Sequence, residues 1–545
     1  MSLGYTEAAK PAHWLLDLEI AGGVWRFASS DVEVTDDDGE TFSYRAGLQT
    51  PDIGLVQDGG AEASTGITID TQDDWARIEA RGHNLERGRG TLRRWWEGTT
   101  LERARVYLRG LSTGIEYGAA GDPLVFTLTR SPSLESRDIL DPQLLVDATT
   151  WPVRTSPAYT RQEQVEGASY QLVIGAPGHD PANGTPRAAV PALLVEARAA
   201  DATSGLLLSF GQMDAASVRV HNVTAELEGD SSTVATADLL GRPVTYCQFP
   251  DIATLNGITN EFWYGLQDDS TYGGGVRHPT QPGAMLRGAG DVLAWGLTEF
   301  TDIRVDTAAM AANASWLNAF SVDTYVNTPT DAWAWLTGAV LPWVPVVVRE
   351  SDRGMYFLPV RWDYTLTDVG AYLSVERGEI SRVGSVKRLS QGIYNEITVQ
   401  YRPKREGKKW HSTHTLTATA GTLSVSNEVT DDSRISGSLL ARLSQNTYGV
   451  RNKTIAIPHT WSDETATLVA RLMLLRYAWP KRVAQYDAGP EYEALSPGMS
   501  VAITDGEIYL ADAVAYVVDV KPTAGGCRLD LIFLDHPIHR TATTA

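Results

Sequence analysis

A mainly β fold with an α+β insertion, multidomain, with β-barrel-like units and a few helices, is what three observations on this sequence predict. The chain has 545 residues, 43% of them hydrophobic and 9% aromatic, with 16 Trp. At about 150 residues per domain that makes roughly three to four domains, each with material for its own core. Period-two alternation broken by glycine turns fills the first and last thirds, and near Ala289 the apolar spacing changes to the helical period. The limits that follow are 1–130 for an N-terminal β-barrel-like domain, 131–285 for a second β-rich unit, 286–385 for an α+β unit and 386–545 for a C-terminal β module with one packed helix.

The first domain opens on alternation at Trp14, Leu16, Leu18 and Ile20, a Gly22-Gly23 turn, and a return strand from Val24 to Ala28. A second hairpin pairs Asp31 to Thr35 with Thr41 to Arg45. Its turn is Asp36-Asp37-Asp38-Gly39, where carboxylates accept local amide bonds and glycine supplies a positive φ. Further strands are expected at Gly66 to Thr71, Glu102 to Leu108 and Leu124 to Thr129. Proline and polar residues dominate from Ser131 to Tyr159. The strand pattern then resumes at Tyr170 to Gly175 and Ala192 to Ala197.

Helices begin at Val292, Leu293, Trp295 and Leu297 and continue at Met310 to Phe320. The clearest runs from Pro329 to Leu341, with Thr328 as N-cap, Pro329 at the first helical position, Asp331 near the positive end and Pro342 as the stop. A hairpin follows, Val344 to Arg349 and Met355 to Arg361, around Ser351-Asp352-Arg353-Gly354. Only eight of the 46 cations are lysines, and seven of those follow residue 386, which places a soft boundary near Gly384.

The last third returns to β structure with Ile393, Asn395, Ile397, Val399 and Tyr401 on one strand face. A single strong helix interrupts it. Ser462 caps, Asp463 and Glu464 fill the first turn, Leu468, Leu472, Leu475 and Trp479 line one face, and Pro480 ends it. Strands at Met499 to Thr504, Ile508 to Leu510, Ala513 to Val520 and Leu529 to Leu534 then form a small barrel, and the helix stripe is expected to bury against those around Val501 and Val517.

Charge narrows the function. The net charge of −21 and pI near 4.9 argue against a duplex-DNA clamp, which needs cations to displace phosphate counterions. Cys247 and Cys527 are too few for a disulfide framework or a four-thiolate zinc site. No 18 apolar residues run together, so no membrane-spanning helix is expected. Asp17 and Glu19 interrupt the only candidate signal peptide, which points to folding in a cytoplasm.

Chemistry motifs are few. Gly110-Leu111-Ser112-Thr113-Gly114 matches a nucleophile elbow, but the glycine-rich Ile115 to Pro123 offers no helix after the serine, so the segment reads as a turn. His411 and His414 on a strand point to opposite faces, and His536 and His539 lie in a terminal tail. The triple aspartate lacks the ligand order of an EF-hand loop, and Gly273-Gly274-Gly275 lacks a Walker lysine. Lys404-Arg405-Glu406-Gly407-Lys408-Lys409 reads as an exposed hairpin tip. Trp95-Trp96 and the tryptophans from Trp333 to Trp343 read as core or subunit interface before a sugar-stacking groove. No catalytic, cofactor or metal-binding residue is assigned, and no enzyme activity is expected.

The order of elements carries a resemblance. Gly288-Ala-Gly-Asp291-Val-Leu-Ala-Trp295, Val305-Asp306, the helix of Thr328 to Leu341 and Gly354-Met-Tyr-Phe-Leu-Pro359 resemble the central region of tail-tip proteins. Tyr394-Asn-Glu-Ile-Thr-Val-Gln-Tyr401, the Ser462 to Trp479 helix and Leu495-Ser-Pro-Gly498-Met-Ser-Val-Ala-Ile503 resemble their closing β module. Together these span about half the chain, and the family is the baseplate or tail-tip hub of long-tailed bacteriophages, gene transfer agents and contractile injection systems.

That resemblance implies a homotrimer with two barrel-like domains per subunit, joining a sixfold tail tube to a threefold tip and lining the DNA channel during genome ejection. Implied partners are distal tail or tail-tube proteins, central spike or fibre proteins and the tape-measure protein, with DNA passing transiently and unbound. The implied location is the virion tail tip, assembled in the bacterial host cytoplasm. A carboxylate-lined channel would repel DNA. The rival reading is a polysaccharide-binding or polysaccharide-degrading β-sandwich protein, motivated by the 16 Trp and by Asp268, Asp269, Glu491 and Glu493.

Overall fold

The computed structural model describes residues 11–20, 23–51, 63–70, 75–119, 121–130, 132, 135–147, 149–151, 167–182, 184–195, 204–211, 213, 217–223, 227–229, 233–239, 242–249, 262–267, 278, 281, 284–351, 353–389, 392–405, 409–418, 432–523 and 525–534. It is mainly β, with several sheets and a few helices.

Eight strands build the N-terminal sheet: β1 (Ala12–Ile20), β2 (Gly23–Ala28), β3 (Val32–Thr35), β4 (Thr41–Ala46), β5 (Ala63–Ile69), β6 (Arg89–Trp96), β7 (Arg105–Glu116) and β8 (Leu124–Arg130), in the order β3-β4-β2-β1-β6-β7-β8-β5. Residues 47–49 close it into a barrel. Gly47 and Leu48 donate to Ala28 O, Gln49 donates to Thr68 O, and Asp70 donates back to Gly47 O, so β2 and β5 are stitched together. Position 47 needs glycine, since its φ is +139° and a Cβ would meet Asp70 O at 2.2 Å.

Both faces of β1 are used. Trp14, Leu16, Leu18 and Ile20 enter the barrel core with Leu92, Phe126 and Leu128, while Leu15 packs with Val34, Tyr44 and Trp95 under the β3–β4 hairpin. Ile20 pairs with Gly23, so Gly23 belongs to β2, and Gly22 lies outside the described residues. Sequence patterning missed β6 and the short helix α1 (Trp75–Ala80), and it began β7 three residues early, because residues 101–103 form a helical turn.

The second region starts with β9 (Leu172–Ile174) and continues through β10 (Val190–Pro191), β11 (Leu193–Val195), β12 (Ser204–Phe210), β13 (Val218–Asn222), β14 (Leu227–Gly229), β15 (Thr233–Leu239), β16 (Arg242–Phe249) and β17 (Phe262–Leu266). Two four-stranded sheets result, β10-β17-β13-β14 and β11-β12-β16-β15. Both supply side chains to one core, with Val190, Val218, Val220 and Tyr264 from one sheet and Leu206, Leu208 and Cys247 from the other.

Helices α2 (Ala289–Phe300) and α3 (Thr307–Leu317) follow, with Asp306 capping α3 through Ala309 N at 2.9 Å. Next come β18 (Thr324–Val326), paired with β9, and α4 (Ala332–Trp335), which runs into a π turn at residues 336–340. The cap here is Asp331, whose carboxylate accepts from Ala334 N at 2.8 Å, and not Thr328. Asp331 also pairs as an isolated bridge with Asp138, so the chain at 328–331 is held extended and the helix starts later. The expected hairpin is present as β19 (Val346–Ser351) and β20 (Gly354–Pro359).

In the last part, β21 (Ala371–Ser374), β22 (Ile380–Leu389), β27 (Lys481–Ala488), β28 (Ser500–Asp505), β29 (Leu510–Thr523) and β30 (Gly526–Phe533) form one six-stranded sheet, β21-β28-β29-β30-β27-β22. Its end strands β21 and β22 are consecutive, and Glu379 N donates to Ser374 O across their turn, so the sheet curls back around Tyr486, Val501, Ile503, Val517 and Leu529. Ile508 lies in the turn between β28 and β29 and is not in a strand. The second sheet, β25-β24-β23-β26, uses β23 (Glu396–Pro403), β24 (Trp410–Thr417), β25 (Asp432–Gly437) and β26 (Asn452–Ala456).

Two helices, not one, accompany these strands. Helix α5 (Leu439–Tyr448), capped by Ser438, precedes α6 (Asp463–Tyr477), where Ser462 accepts from Thr465 N at 3.1 Å as the sequence predicts. The packing partner of α6 differs from expectation. It lies against β23 and β24, and Val469, Leu472 and Leu474 join Ile397, Val399 and Tyr401 in a core that continues to the central helices. Small residues at Thr465, Ala466 and Ala470 let the helix sit close, which rotates Leu468, Leu475 and Trp479 to half-buried flanks. Only Leu475 also reaches the cluster of Tyr516 beside the curled sheet.

Candidate functional site

Among the described residues no group of three or more His, Cys, Asp or Glu side chains is placed to hold a metal ion. The motif residues mostly do structural work. Ser112 lies within the continuous strand β7, not in a turn, and is fully buried. Its hydroxyl accepts from Gly88 N at 2.9 Å and donates to Leu85 O at 2.7 Å, so both capacities serve the preceding loop. Pairing with β6 as far as Leu111 and with β8 as far as Thr113 holds the serine in the strand, while Gly114, at a φ of +63°, sits where the register with β8 shifts.

His411 and His414 both lie on β24. His411 sits by Trp461, with ring centroids 6.0 Å apart, and near Arg187, while buried His414 bonds Ser436 at 3.3 Å. Trp95 donates to Thr99 O, Trp343 donates to Ala339 O, and Trp333 stacks on Phe357, so these rings are internal. Lys404 N bonds Lys409 O at 2.8 Å, as a hairpin between β23 and β24 requires. Cys247 and Cys527 are buried, and burial pushes the Cys527 thiol up to about 12. His536, His539, Gly273 to Gly275, Asp268 and Asp269 lie outside the described residues.

The strongest polar geometry lies where the β units meet. Glu493, in the loop before β28, is buried against the N-terminal barrel. It pairs with Arg94 of β6 and accepts from Trp96 Nε1 at 3.2 Å and Tyr107 OH at 3.3 Å. Arg94 spends its other donors on Thr523 O at 2.7 Å and Gly526 O at 3.2 Å, in the β29–β30 hairpin. Burial pushes the Glu493 carboxyl above its ordinary value against the pull of Arg94 and Arg105.

A second clamp ties the barrel to the β19–β20 hairpin. Glu350 takes Arg130 at 3.0 Å and Arg109 at 3.8 Å, and Arg109 also donates to Ser351 O at 2.8 Å. Burial raises the Glu350 carboxyl, opposed by both arginines.

Two further junctions reach the second β region. Asp323 accepts Ala176 N, Arg287 Nε and Trp461 N at 2.9, 2.7 and 2.9 Å, gathering three separate segments on one fully buried carboxylate. Arg402, with a left-handed φ of 55°, reaches Asp463 at 2.9 Å and Asp180 at 3.6 Å. Burial alone would raise the Asp180 carboxyl, but the Arg187 hydrogen bond and the charges of Arg187 and Arg402 hold it below its ordinary value.

Each of these carboxylates is engaged by arginine, with further side-chain donors at Glu493 and backbone donors at Asp323 and Asp180, so the arrangement fixes the orientation of the segments that meet there. Glu493, a candidate under the polysaccharide reading, is occupied in this way. Patterning gave no signal for Arg94, Glu350, Asp323 or Arg402 as joints. Their partners lie up to 399 residues away in sequence, beyond the reach of any local pattern.

No family model matches the chain, and no curated protein matches it. Among solved structures the chain is similar to a tail protein of Neisseria meningitidis MC58, at 9% identity over 95% of this chain and 96% of that one, with a TM-score of 0.31. It is also similar to the 43 kDa tail protein of prophage MuSo2 from Shewanella oneidensis, at 8% identity, 95% and 97% coverage and a TM-score of 0.30. A third is prophage tail protein gp18 from Listeria monocytogenes EGD-e, at 8% identity, 92% and 94% coverage and a TM-score of 0.32. At such identities and TM-scores the likeness transfers no function to this chain.

Proposed function

We propose that the chain is a structural virion protein, the baseplate or tail-tip hub, acting as a homotrimer that joins a sixfold tube to a threefold tip. The observation that carries this reading is the pair of barrel-like β sheets in one chain, strands β1 to β8 and the sheet of β21, β22 and β27 to β30, clamped together through Arg94 and Glu493. Three copies present six such units, so a threefold assembly offers a sixfold surface without a second gene product. Buried ion pairs at the joints suit a load-transmitting part, because charge-assisted hydrogen bonds from arginine are directional.

The net charge of −21 suits a DNA channel wall, since carboxylates repel a passing polyanion. On this reading the partners are tail-tube or distal tail proteins on one side, a spike or fibre on the other and the tape-measure protein within. Sedimentation of the full chain at micromolar concentration, alone and with tail-tube or spike proteins, tests the proposal. A threefold mass is expected, and a strictly monomeric species under both conditions refutes it.

A further inference from the structure

The clamps of Glu493 and Glu350 leave two cations over. Glu350 takes Arg109 and Arg130, and Glu493 takes Arg94, but Arg349 of β19 forms no ion pair among the described residues. Its Nε donates to Pro497 O and its Nη1 to Val348 O, each at 2.6 Å. Its Nη2 is closed to solvent and meets no acceptor among the described residues. Burial lowers the Arg349 guanidinium to about 10, and the charges of Arg130 and Arg105 push the same way. The group stays charged near neutrality, so backbone carbonyls alone offset a cation shut inside the junction.

Arg105, at the start of β7, is the second. It rests on the Tyr107 ring, 4.9 Å from the centroid, and forms no ion pair among the described residues. Its Nη1 is likewise closed to solvent and meets no acceptor among them. Glu493 acts on Arg105 from beyond ion-pair distance and is already held by Arg94. Strand β7 packs beside β19, where Arg109 donates to Ser351 O. Tyr356, the cross-strand partner of Arg349, feels the charges of both Arg349 and Arg105, and the two guanidinium groups repel each other. Two like charges within reach of one another, each with a shielded N–H that no protein acceptor meets, define a place for negative charge.

We propose that Arg105 and Arg349 bind a chloride ion where the N-terminal barrel meets the β19–β20 hairpin and the loop of Pro497. A water molecule would meet the hydrogen bonds and leave both charges uncompensated, whereas an anion answers both. The donor atoms are closed to solvent, which favours a monoatomic ion over a larger oxyanion. The ion links the two clamps, since Arg105 lies within the field of Glu493 and Arg349 directly precedes Glu350. The site lies within one chain and does not rest on the assembly proposed above.

Crystals of the full chain grown with bromide in place of chloride test the site directly. A bromine anomalous peak within hydrogen-bond reach of both Arg105 Nη1 and Arg349 Nη2 is expected. Density there without an anomalous signal is water, and the proposal fails. In solution, the thermal midpoint is followed against chloride at constant ionic strength, with gluconate as the balancing anion. The parent should gain about 2 °C or more when chloride is raised about a hundredfold through the binding range. Arg349→Met removes one donor and its charge, and its midpoint should not respond. Equal responses of parent and variant would mean that chloride acts elsewhere, and the proposal fails. A bromide peak without a gain in the parent is binding at crystal concentration only and overturns it as well. If Arg349→Met does not fold, the bromide map and the parent titration decide without it.

Discussion

Replacing Glu493 by alanine tests whether the two barrel-like units depend on a buried ion pair. The Glu493 side chain is 4% exposed and that of Arg94 is 6%, so the substitution leaves a guanidinium inside the junction with no counter-charge. Removing one partner of a buried pair costs about 3–5 kcal/mol, and the orphaned Tyr107 hydroxyl, itself buried, adds to this. The carbonyls of Thr523 and Gly526 still solvate Arg94, which keeps the loss within that range. The double variant Arg94→Met/Glu493→Leu removes both charges and their desolvation cost, and should lose less than the single alanine variant. Urea unfolding followed by the intrinsic fluorescence of the 16 tryptophans reads the loss of stability, and a double-mutant cycle should give a coupling of at least about 2 kcal/mol. A loss below about 1 kcal/mol for Glu493→Ala, or simple additivity of the two single changes, would refute the clamp.

Three other outcomes follow from the packing. Leu472→Ala empties a site only 4% exposed in the shared core under α6 and should cost about 2–5 kcal/mol in denaturant, whereas an unchanged midpoint would make that helix peripheral. Ser112→Ala strands Gly88 N and Leu85 O and should lose about 1–3 kcal/mol of stability, and an esterase activity abolished by this change would overturn the structural role. Burial lowers the His459 ring to about 4, so the folded chain holds it neutral where the unfolded chain takes a proton. Its contribution is complete above about pH 6.5 and is lost as pH falls toward 4. That is at most about 3 kcal/mol, because the ring keeps some contact with water. His459→Gln should flatten the stability curve over that window, and an unchanged slope would show that the ring titrates freely.

The sequence by itself determined most of the local structure, because local structure depends on neighbours a few residues away. Period-two runs such as Trp14 to Ile20 and Ile397 to Tyr401, the Asp36 to Gly39 turn and the Ser462 cap all appear where side-chain spacing and turn chemistry put them. Where a distant segment intervened, local rules failed. Gly110 to Gly114 reads as a turn, yet pairing with β6 through Leu111 and with β8 from Leu111 to Thr113 keeps the serine in a strand. Thr328 reads as a cap, yet the bridge between Asp138 and Asp331 delays the helix.

The joints were legible only in the tertiary structure. Ala371 to Ser374 pairs in parallel with Val501 to Thr504, and α6 chose the β23–β24 face over the strands around Val501, because its small residues fit closely there. An arginine in a strand reads as a solvated surface charge until its partner is known. Arg94 meets Glu493 and Arg402 meets Asp180 and Asp463 through chain closures of tens to hundreds of residues. Such pairs leave no periodic trace, since a buried charge is specified by what folds over it and not by its neighbours in sequence.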